Sequence, residues 1–329
     1  MDYKAIVNSF QGANVLIVGD VMIDAYLSGS ADRISPEAPV PVVSINEEVY
    51  RLGGAANVAL NVMTLAANSI ICSVIGEVKS ERFLGLLRQR GFSEEGIVIS
   101  NDRKTTQKTR VLDKGKQLLR VDEESTHDLT TEEEGNLLTR IEEIVKTNSI
   151  DVLILQDYNK GVLTSNVITK CIELCKKHDI PTAVDPKLKH FLFYKGVTLF
   201  KPNLKEINEG LNLQVKGDHL ESLKSAIATL ENELKNDISF VTLSENGVVI
   251  NAGDSFIHLD AHERDIVDVS GAGDTVISVA ALCLAKGASI KELAELSNLA
   301  GGLVCEKVGV VPINKEELIL ASENQLDVL

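Results

Sequence analysis

The chain has 329 residues, with 33 Lys and Arg against 48 Asp and Glu, a formal net charge of −15 at pH 7. A surface that acidic repels polyanions, which excludes a general nucleic-acid or anionic-membrane binder; a small anionic ligand must instead meet cations gathered in one place. Hydrophobic content of 44% with 25% charged residues is that of a globular protein and excludes extensive disorder.

Short apolar runs alternate with longer amphipathic stretches, the pattern of βαβ units around a largely parallel sheet. Asn14–Val18 reads as the first buried strand. From Ala25 to Arg51 the pattern changes to strand-like alternation, with Pro36, Pro39 and Pro41 crowded into it. Proline cannot donate to a central ladder, so this stretch belongs to an edge or to a small accessory sheet. Apolar residues at three- and four-residue intervals predict helices over Ala55–Ala66 and Glu81–Arg90, with a strand over Ser69–Ile75 between them. Lys104–Asp122 alternates again and joins the accessory sheet. A helix over Thr131–Lys146, a strand over Val152–Leu155 and a helix over Asn166–Lys177 follow. Thr182–Val184, Leu199–Lys201 and Phe240–Leu243 read as strands, Ser222–Leu234, Gly273–Lys286 and Ile290–Lys307 as helices, and Ala321–Leu329 as a frayed end.

The N-terminal MDYKAIVNSF carries an acid early and no long apolar run, unlike a secretory or transit peptide, and no apolar stretch reaches the roughly 18 residues of a membrane helix. The five cysteines, Cys72, Cys171, Cys175, Cys283 and Cys305, lie mostly in apolar stretches without paired CxxC spacing. They read as reduced core thiols, and the chain as cytoplasmic.

The sharpest local signal is Asp268-Val269-Ser270-Gly271-Ala272-Gly273-Asp274, running directly into TVISVAALCLAKG. Small residues ahead of a helix expose backbone N–H groups, and the helix dipole adds partial positive charge, so the turn suits an anion. Asp274 then faces a bound phosphate. That repulsion makes sense where the acid takes a proton from an attacking hydroxyl during phosphoryl transfer. Taken alone, the segment also reads as an ordinary capped helix start. No P-loop signature occurs, and GAGDTV lacks the third glycine of the dinucleotide fingerprint.

Asp268–Asp274 and its small-residue helix resemble the C-terminal signature of the ribokinase, or phosphofructokinase-B, family of sugar kinases. Gly19-Asp20-Val21-Met22-Ile23-Asp24, Gly53-Gly54-Ala55-Ala56-Asn57, Lys201-Pro202-Asn203-Leu204-Lys205-Glu206 and Thr242-Leu243-Ser244-Glu245-Asn246-Gly247 resemble further elements of that family, in order over nearly the whole chain. Within it, Arg33–Val43, Gly53–Ala59, Gln156–Gly161 and Val184–Lys187 resemble the branch that phosphorylates D-glycero-β-D-manno-heptose 7-phosphate at O1 in ADP-heptose and lipopolysaccharide biosynthesis. Fused members of that branch continue into a nucleotidyltransferase. The resemblance implies a ribokinase-like α/β fold over residues 1–329, with a mainly parallel sheet flanked by helices and a β lid made from about 25–51 and 104–122. Because the chain ends at Leu329, shortly after the kinase region, a kinase without the transferase is expected.

By that resemblance, Asp274 takes the proton of the acceptor hydroxyl while Gly271, Ala272 and Gly273 supply an anion hole, where preorganised N–H donors contribute most as charge develops. Asp268 resembles the position that helps hold a monovalent cation, K+. Asn203 and Glu206 order Mg2+ and the triphosphate of ATP, directly or through water; magnesium keeps several waters, so one carboxylate and one amide suffice. Asn203 also reads as a cap for the following KEINEGL. Ser244 and Gly247 line the nucleotide phosphates, and Asn298 borders the adenine. Asp24 accepts hydrogen bonds from the sugar, Gly53 and Gly54 let it approach the backbone, and Asn57 offers both donor and acceptor.

The sugar's own phosphate needs cations, for which Arg33, Lys108, Arg110, Arg120, Lys160 and Lys187 are the candidates. Alternation puts Lys108, Arg110 and Arg120 on one strand face, and Arg110 and Lys187 are expected to matter most. Two lids pairing in a homodimer would cover exposed strand edges and apolar surface. Ser270 stands where the family's turn carries threonine, and Val310-Val311 follow Gly309 where relatives carry Thr or Ser. Three other readings stay open: a different acceptor such as fructose, ribose or a phosphofructose, an inactive sugar- or nucleotide-sensing protein, and an oxidoreductase on a doubly wound sheet.

Overall fold

Runs of Val, Ile and Leu unbroken by charge are stable only where a sheet is covered on both faces, and they set the architecture here. The computed structural model describes residues 2–262 and 264–326. The chain begins α1 (Tyr3–Ser9), β1 (Asn14–Gly19), β2 (Val21–Ile34), β3 (Pro41–Gly54), α2 (Ala55–Thr64), β4 (Asn68–Gly76), α3 (Ser80–Gln89), β5 (Ile97–Ser100), β6 (Gln107–Asp113) and β7 (Lys116–Glu123). It continues α4 (Thr131–Thr147), β8 (Val152–Gln156), α5 (Ser165–Lys177), β9 (Thr182–Asp185), β10 (Leu199–Phe200), α6 (Leu204–Gly210) and α7 (Leu220–Leu234). It closes with β11 (Ile238–Thr242), β12 (Val248–Ala252), β13 (Ser255–Leu259), α8 (Ala272–Ala285), α9 (Ile290–Cys305) and α10 (Lys315–Gln325).

Nine strands form the main sheet in the order β13-β12-β11-β10-β9-β8-β1-β4-β5. Neighbours from β11 to β5 run parallel, and β12 and β13 complete the other edge as an antiparallel hairpin. Side chains alternate between its faces. Val15 and Ile17 pack with α2, α8 and α9, whereas Leu16 and Val18 pack with α4 and α5. The six strands expected from apolar runs are all present, with β10 ending one residue early, at Phe200. The expected strands do not include β5, β12 or β13; β5 is only four residues long, and β13 is half-exposed. The expected frayed end is corrected: α10 continues to Gln325 with Leu318 and Ala321 buried, and 327–329 lie outside the described residues.

The two alternating stretches form a second sheet, β3-β2-β6-β7, in which only the β2–β6 pair is parallel. Pro41 opens its edge strand β3, and Pro36 and Pro39 lie in the turn before it, where no ladder donor is needed. The near halves of β2 and β3 are buried against the main body and the far halves are exposed. Register aligns Arg51, Asp24, Lys108 and Asp122 in one row and Val49, Tyr26, Arg110 and Arg120 in another on the same face. The opposite face carries Ala25, Thr109 and Val121, then Leu27, Val111 and Leu119. All five cysteines are free and buried, and burial pushes the Cys72 and Cys175 thiols up to about 12. Among the described residues no helix is long and apolar enough to cross a membrane.

Asn61 on α2 fixes how the helical layer meets. Its Nδ2 donates to the Asn57 carbonyl at 2.9 Å, and its Oδ1 accepts from the Thr275 hydroxyl at 3.0 Å and the Ile313 N–H at 2.9 Å. Asn61→Ala leaves a buried hydroxyl and a buried N–H unmatched, and should cost about 2–4 kcal/mol. Urea denaturation checks this as a lower midpoint at unchanged m-value.

Candidate active site

A polar residue at the carboxyl end of a parallel strand faces the open edge of the sheet, where such folds bind ligands. Asp20 follows β1, Gln156 ends β8, Asp185 ends β9 and Lys201 follows β10. Asp274, in the first turn of α8, meets this group. It is 4% exposed. Its Oδ2 accepts from Asn57 Nδ2 at 2.7 Å, and its Oδ1 accepts from the Tyr158 hydroxyl at 2.6 Å and from Gln156 Nε2 at 3.2 Å. Burial pushes the Asp274 carboxyl up to about 6 against the opposing Asn57 and Tyr158 donors, with Asp185 adding to the rise and Lys201 opposing it. Beside this carboxylate, Asn57 Oδ1 is buried with no partner among the described residues.

The turn before α8 holds Gly271 at φ +83°, where a Cβ would lie 3.2 Å from Val310 Cγ1 and 3.3 Å from Asn57 Nδ2. Gly271 and Gly273 line a cavity of about 430 Å3 together with Tyr158, Asp185, Lys187, Lys201, Asn203 and Ser244. Ala272 does not line it, and its N–H turns back to the Val269 carbonyl at 3.3 Å. Of the three residues expected to supply an anion hole, Gly271 and Gly273 line the cavity. Asp268 supports the turn: its Oδ1 accepts from the Ser270 N–H at 2.9 Å and its Oδ2 from the Gly309 N–H at 3.0 Å. Burial works against the Asp268 carboxylate, but these N–H groups, the Ser270 hydroxyl and the Arg110 charge hold it below its ordinary value. Three donors on four acceptor positions leave one lone pair, so Asp268 could offer a monovalent cation at most one oxygen contact without giving up a protein bond. The valine at position 310 leaves this arrangement intact because its part is played by the backbone, whose carbonyl accepts from Arg51 Nη1 at 3.3 Å.

On the far wall, Asn203 and Glu206 cap α6 reciprocally: Asn203 Oδ1 accepts the Glu206 N–H at 2.8 Å and Glu206 Oε2 accepts the Asn203 N–H at 2.9 Å. Glu206 Oε1 pairs with the Lys187 ammonium. With both oxygens engaged, Glu206 fits magnesium through water more readily than directly, and the ion's own part would be to neutralise phosphate charge. Lys187 is thereby a paired cation rather than a free one. It follows β9 by two residues and lines this cavity with Asn203 and Ser244, and none of the other candidate phosphate cations lines it. Gly247 closes the Leu243–Gly247 turn at φ +77°, with a Cβ position 2.0 Å from the Leu259 carbonyl, and does not line the cavity. Asn298 Nδ2 donates to the Asp260 carbonyl at 2.9 Å, tying α9 to the segment after β13.

Asp24 is buried and bonds Arg110 Nη1 at 2.5 Å. A Cβ at Gly53 would lie 2.1 Å from Asp24 Oδ2, and one at Gly54 (φ +60°) 2.4 Å from the Asp20 carbonyl, so both glycines are required by the protein's own packing. Arg110 is therefore not a free cation. It and Arg51 each lie 5.2 Å from the centre of the Tyr26 ring. Lys108, one row away, makes no salt bridge among the described residues. Burial lowers its ammonium below the ordinary value against the pull of Asp122, and Lys160 and Arg120 push it the same way as burial. Lys160 and Arg120 hold Glu124 at 2.9 Å and Asp122 at 3.0 Å. Arg33 is not brought to this group. It is exposed, nine residues beyond Asp24 and past a register shift, about 25–30 Å along the strand.

Sequence reasoning gave no role to Gln156, Tyr158, Asp185, Lys201, Tyr26 or Arg51. The first four stand at or just beyond carboxyl ends of parallel strands, a signal available before the structure. The buried Lys201–Asp185 pair, at 3.1 Å, follows from that placement. Tyr26 and Arg51 need the register of β2 and β3 to be seen together.

A family model described as pfkB family carbohydrate kinase matches residues 13–317. A protein of Desulfatibacillum aliphaticivorans named Bifunctional protein HldE is 38% identical over 321 residues, covering 97% of this chain and 65% of its own length. The protein of that name from Methylobacillus flagellatus is 41% identical over 305 residues, with coverage of 92% and 62%. The chain thus spans just under two thirds of the curated relatives it matches. Among solved structures, phosphofructokinase-2 from Escherichia coli in complex with potassium has a TM-score of 0.79 at 19% identity, covering 95% of this chain and 99% of that one. Arabidopsis thaliana ribokinase complexed with ribose and ATP has a TM-score of 0.72 at 15% identity, with coverage of 94% and 99%. The mainly parallel sheet with its small second sheet is the ribokinase-like architecture.

A proton can pass to Asp274 only when its carboxylate is ionised, so any turnover that uses it should rise with pH through about 6. Asp274→Asn should abolish turnover while keeping nucleotide affinity, read by a pH–rate profile and by calorimetric titration with ATP.

Proposed function

The chain belongs to the pfkB family of carbohydrate kinases and is a sugar kinase, and we propose that it transfers the γ-phosphoryl group of ATP to O1 of D-glycero-β-D-manno-heptose 7-phosphate. One observation carries the chemistry: a buried carboxylate, Asp274, stands with an orphaned acceptor, Asn57 Oδ1, at the mouth of a glycine turn and a cavity lined by Lys187 and Lys201. The hydroxyl oxygen bonds to the γ-phosphorus as the bond from that phosphorus to the β-phosphate oxygen breaks. ADP leaves, and the hydroxyl proton goes to Asp274. Gly271 and Gly273 meet the charge that develops on the phosphoryl oxygens. Asn203 and Glu206 would hold magnesium through water, Ser244 would border the nucleotide phosphates, and Asp268 would hold the monovalent ion.

The heptose reading is supported by the Arg33–Val43 segment, which spans the turn between β2 and β3, and by the relatives named Bifunctional protein HldE. Pairing within the site alters which cations take the 7-phosphate. Arg110 serves Asp24 and Lys187 serves Glu206, so Lys108, with Lys160 and Arg120 beside it, becomes the principal clamp. The second sheet acts as a lid over the acceptor, excluding water from the transfer. Its face opposite Lys108 exposes Leu119 (56%) and Val121 (45%) on the edge strand β7, which supports a homodimer formed through two lids.

ATP-to-ADP conversion with heptose 7-phosphate, compared with fructose phosphates and free sugars, tests the acceptor, and phosphorus NMR of the product identifies the oxygen; preference for a fructose phosphate would overturn the reading. Lys108→Ala should raise KM for the phosphosugar about tenfold or more, whereas Lys187→Ala should raise KM for ATP; the reverse pattern would restore Lys187 to the clamp. Light scattering at micromolar concentration should give twice the chain mass, and a monomer mass would contradict the lid interface.

A further inference from the structure

The segment after β8 is tied down more firmly than a surface loop requires. Asp20, 1% exposed, accepts three successive loop donors: the N–H groups of Tyr158 at 2.8 Å and Lys160 at 3.0 Å on Oδ2, and of Val162 at 3.1 Å on Oδ1. Asp157 accepts from the Asn159 N–H at 2.7 Å and the Tyr194 hydroxyl at 2.8 Å. Two buried carboxylates thus hold one short stretch of backbone, although burying them is costly and raises the Asp157 carboxyl to about 7. What the stretch presents to the site is the Tyr158 hydroxyl, 2.6 Å from Asp274 Oδ1.

An ionised carboxylate offers about four acceptor positions, two on each oxygen. On Asp274, Oδ1 already receives Tyr158 and Gln156, whereas Oδ2 receives Asn57 alone. We propose that Tyr158 is a positioning residue for the transfer: by filling Oδ1 and fixing the carboxylate plane, it leaves Oδ2, beside Asn57, as the oxygen that takes the acceptor's proton. This deepens the proposed phosphoryl transfer and rests on Asp274 being its base. The charged groups facing the carboxylate are Asp185 and Lys201 at the ends of β9 and β10, with Lys187 6.0 Å from the Tyr158 ring centre. None of these donates to Asp274 in place of the phenol.

The test is a direct titration of the free protein labelled with [13Cγ]aspartate. The resonance missing from Asp274→Asn identifies Asp274. Tyr158→Phe removes only the hydroxyl, and should move that resonance's midpoint up by about one pH unit, the size expected for losing one hydrogen bond to a charged group. A midpoint that does not move, or an Asp274 that does not titrate between about pH 4 and 9 in the parent, overturns the role given to Tyr158. No sugar enters this measurement. Absence of turnover on heptose 7-phosphate therefore counts against the proposed acceptor, while the titration still decides on Tyr158.

Discussion

Asp274 is a carboxylate almost without water around it, and an ion so placed has to be met by donors or give up its charge. Its donors come from distant parts of the chain: Asn57 from α2, Gln156 from the end of β8, and Tyr158 from the loop that follows. They converge because β1, β8 and β9 are in parallel register, which puts Gly19, Gln156 and Asp185 level at one end of the sheet. Asn61 then holds α2 against α8. The sheet, the helical layer and the loop all have to be correct before this one group can be both buried and ionised near neutral pH.

The same constraint governs how an acidic chain presents positive charge at this site. Its cations near the site are matched one by one within the protein: Arg110 by Asp24, Lys187 by Glu206, and Lys201 by Asp185. A buried ion pair adds little net stability once desolvation is counted, so the Lys201–Asp185 pair is better understood as a charge held ready at the cavity wall. Lys108 differs from these in making no salt bridge among the described residues, and burial lowers its ammonium despite the pull of Asp122 across the strand pair. Arg51 and Arg110 flank Tyr26, and Arg51 bonds Val310, whose neighbour Gly309 bonds Asp268. The second sheet is therefore joined to the glycine turn before α8 through the protein's own contacts.

Much of this was legible before the structure. Apolar runs located the main-sheet strands, and three prolines assigned Ala25–Arg51 to an accessory sheet, where Pro41 does open an edge strand. Asp274, Asn57 and the Asn203–Glu206 pair could be found from local motifs because each motif is contiguous in sequence. Pairing could not. That Asp24 holds Arg110 depends on β2 lying beside β6, and that Lys187 holds Glu206 depends on how the chain turns after β9. Charge alone made both look like free phosphate ligands. Gly53 and Gly54 illustrate the same limit, since their small size makes room for Asp24 and the Asp20 carbonyl within the protein itself.

A crystal structure with heptose 7-phosphate and a non-hydrolysable ATP analogue tests the central claim most directly. The account predicts the sugar's O1 within hydrogen-bond distance of Asp274 Oδ2, with the Tyr158 hydroxyl still on Oδ1 and the 7-phosphate on Lys108. An acceptor hydroxyl on Oδ1 with Tyr158 displaced, or a 7-phosphate held by Lys187, would contradict it.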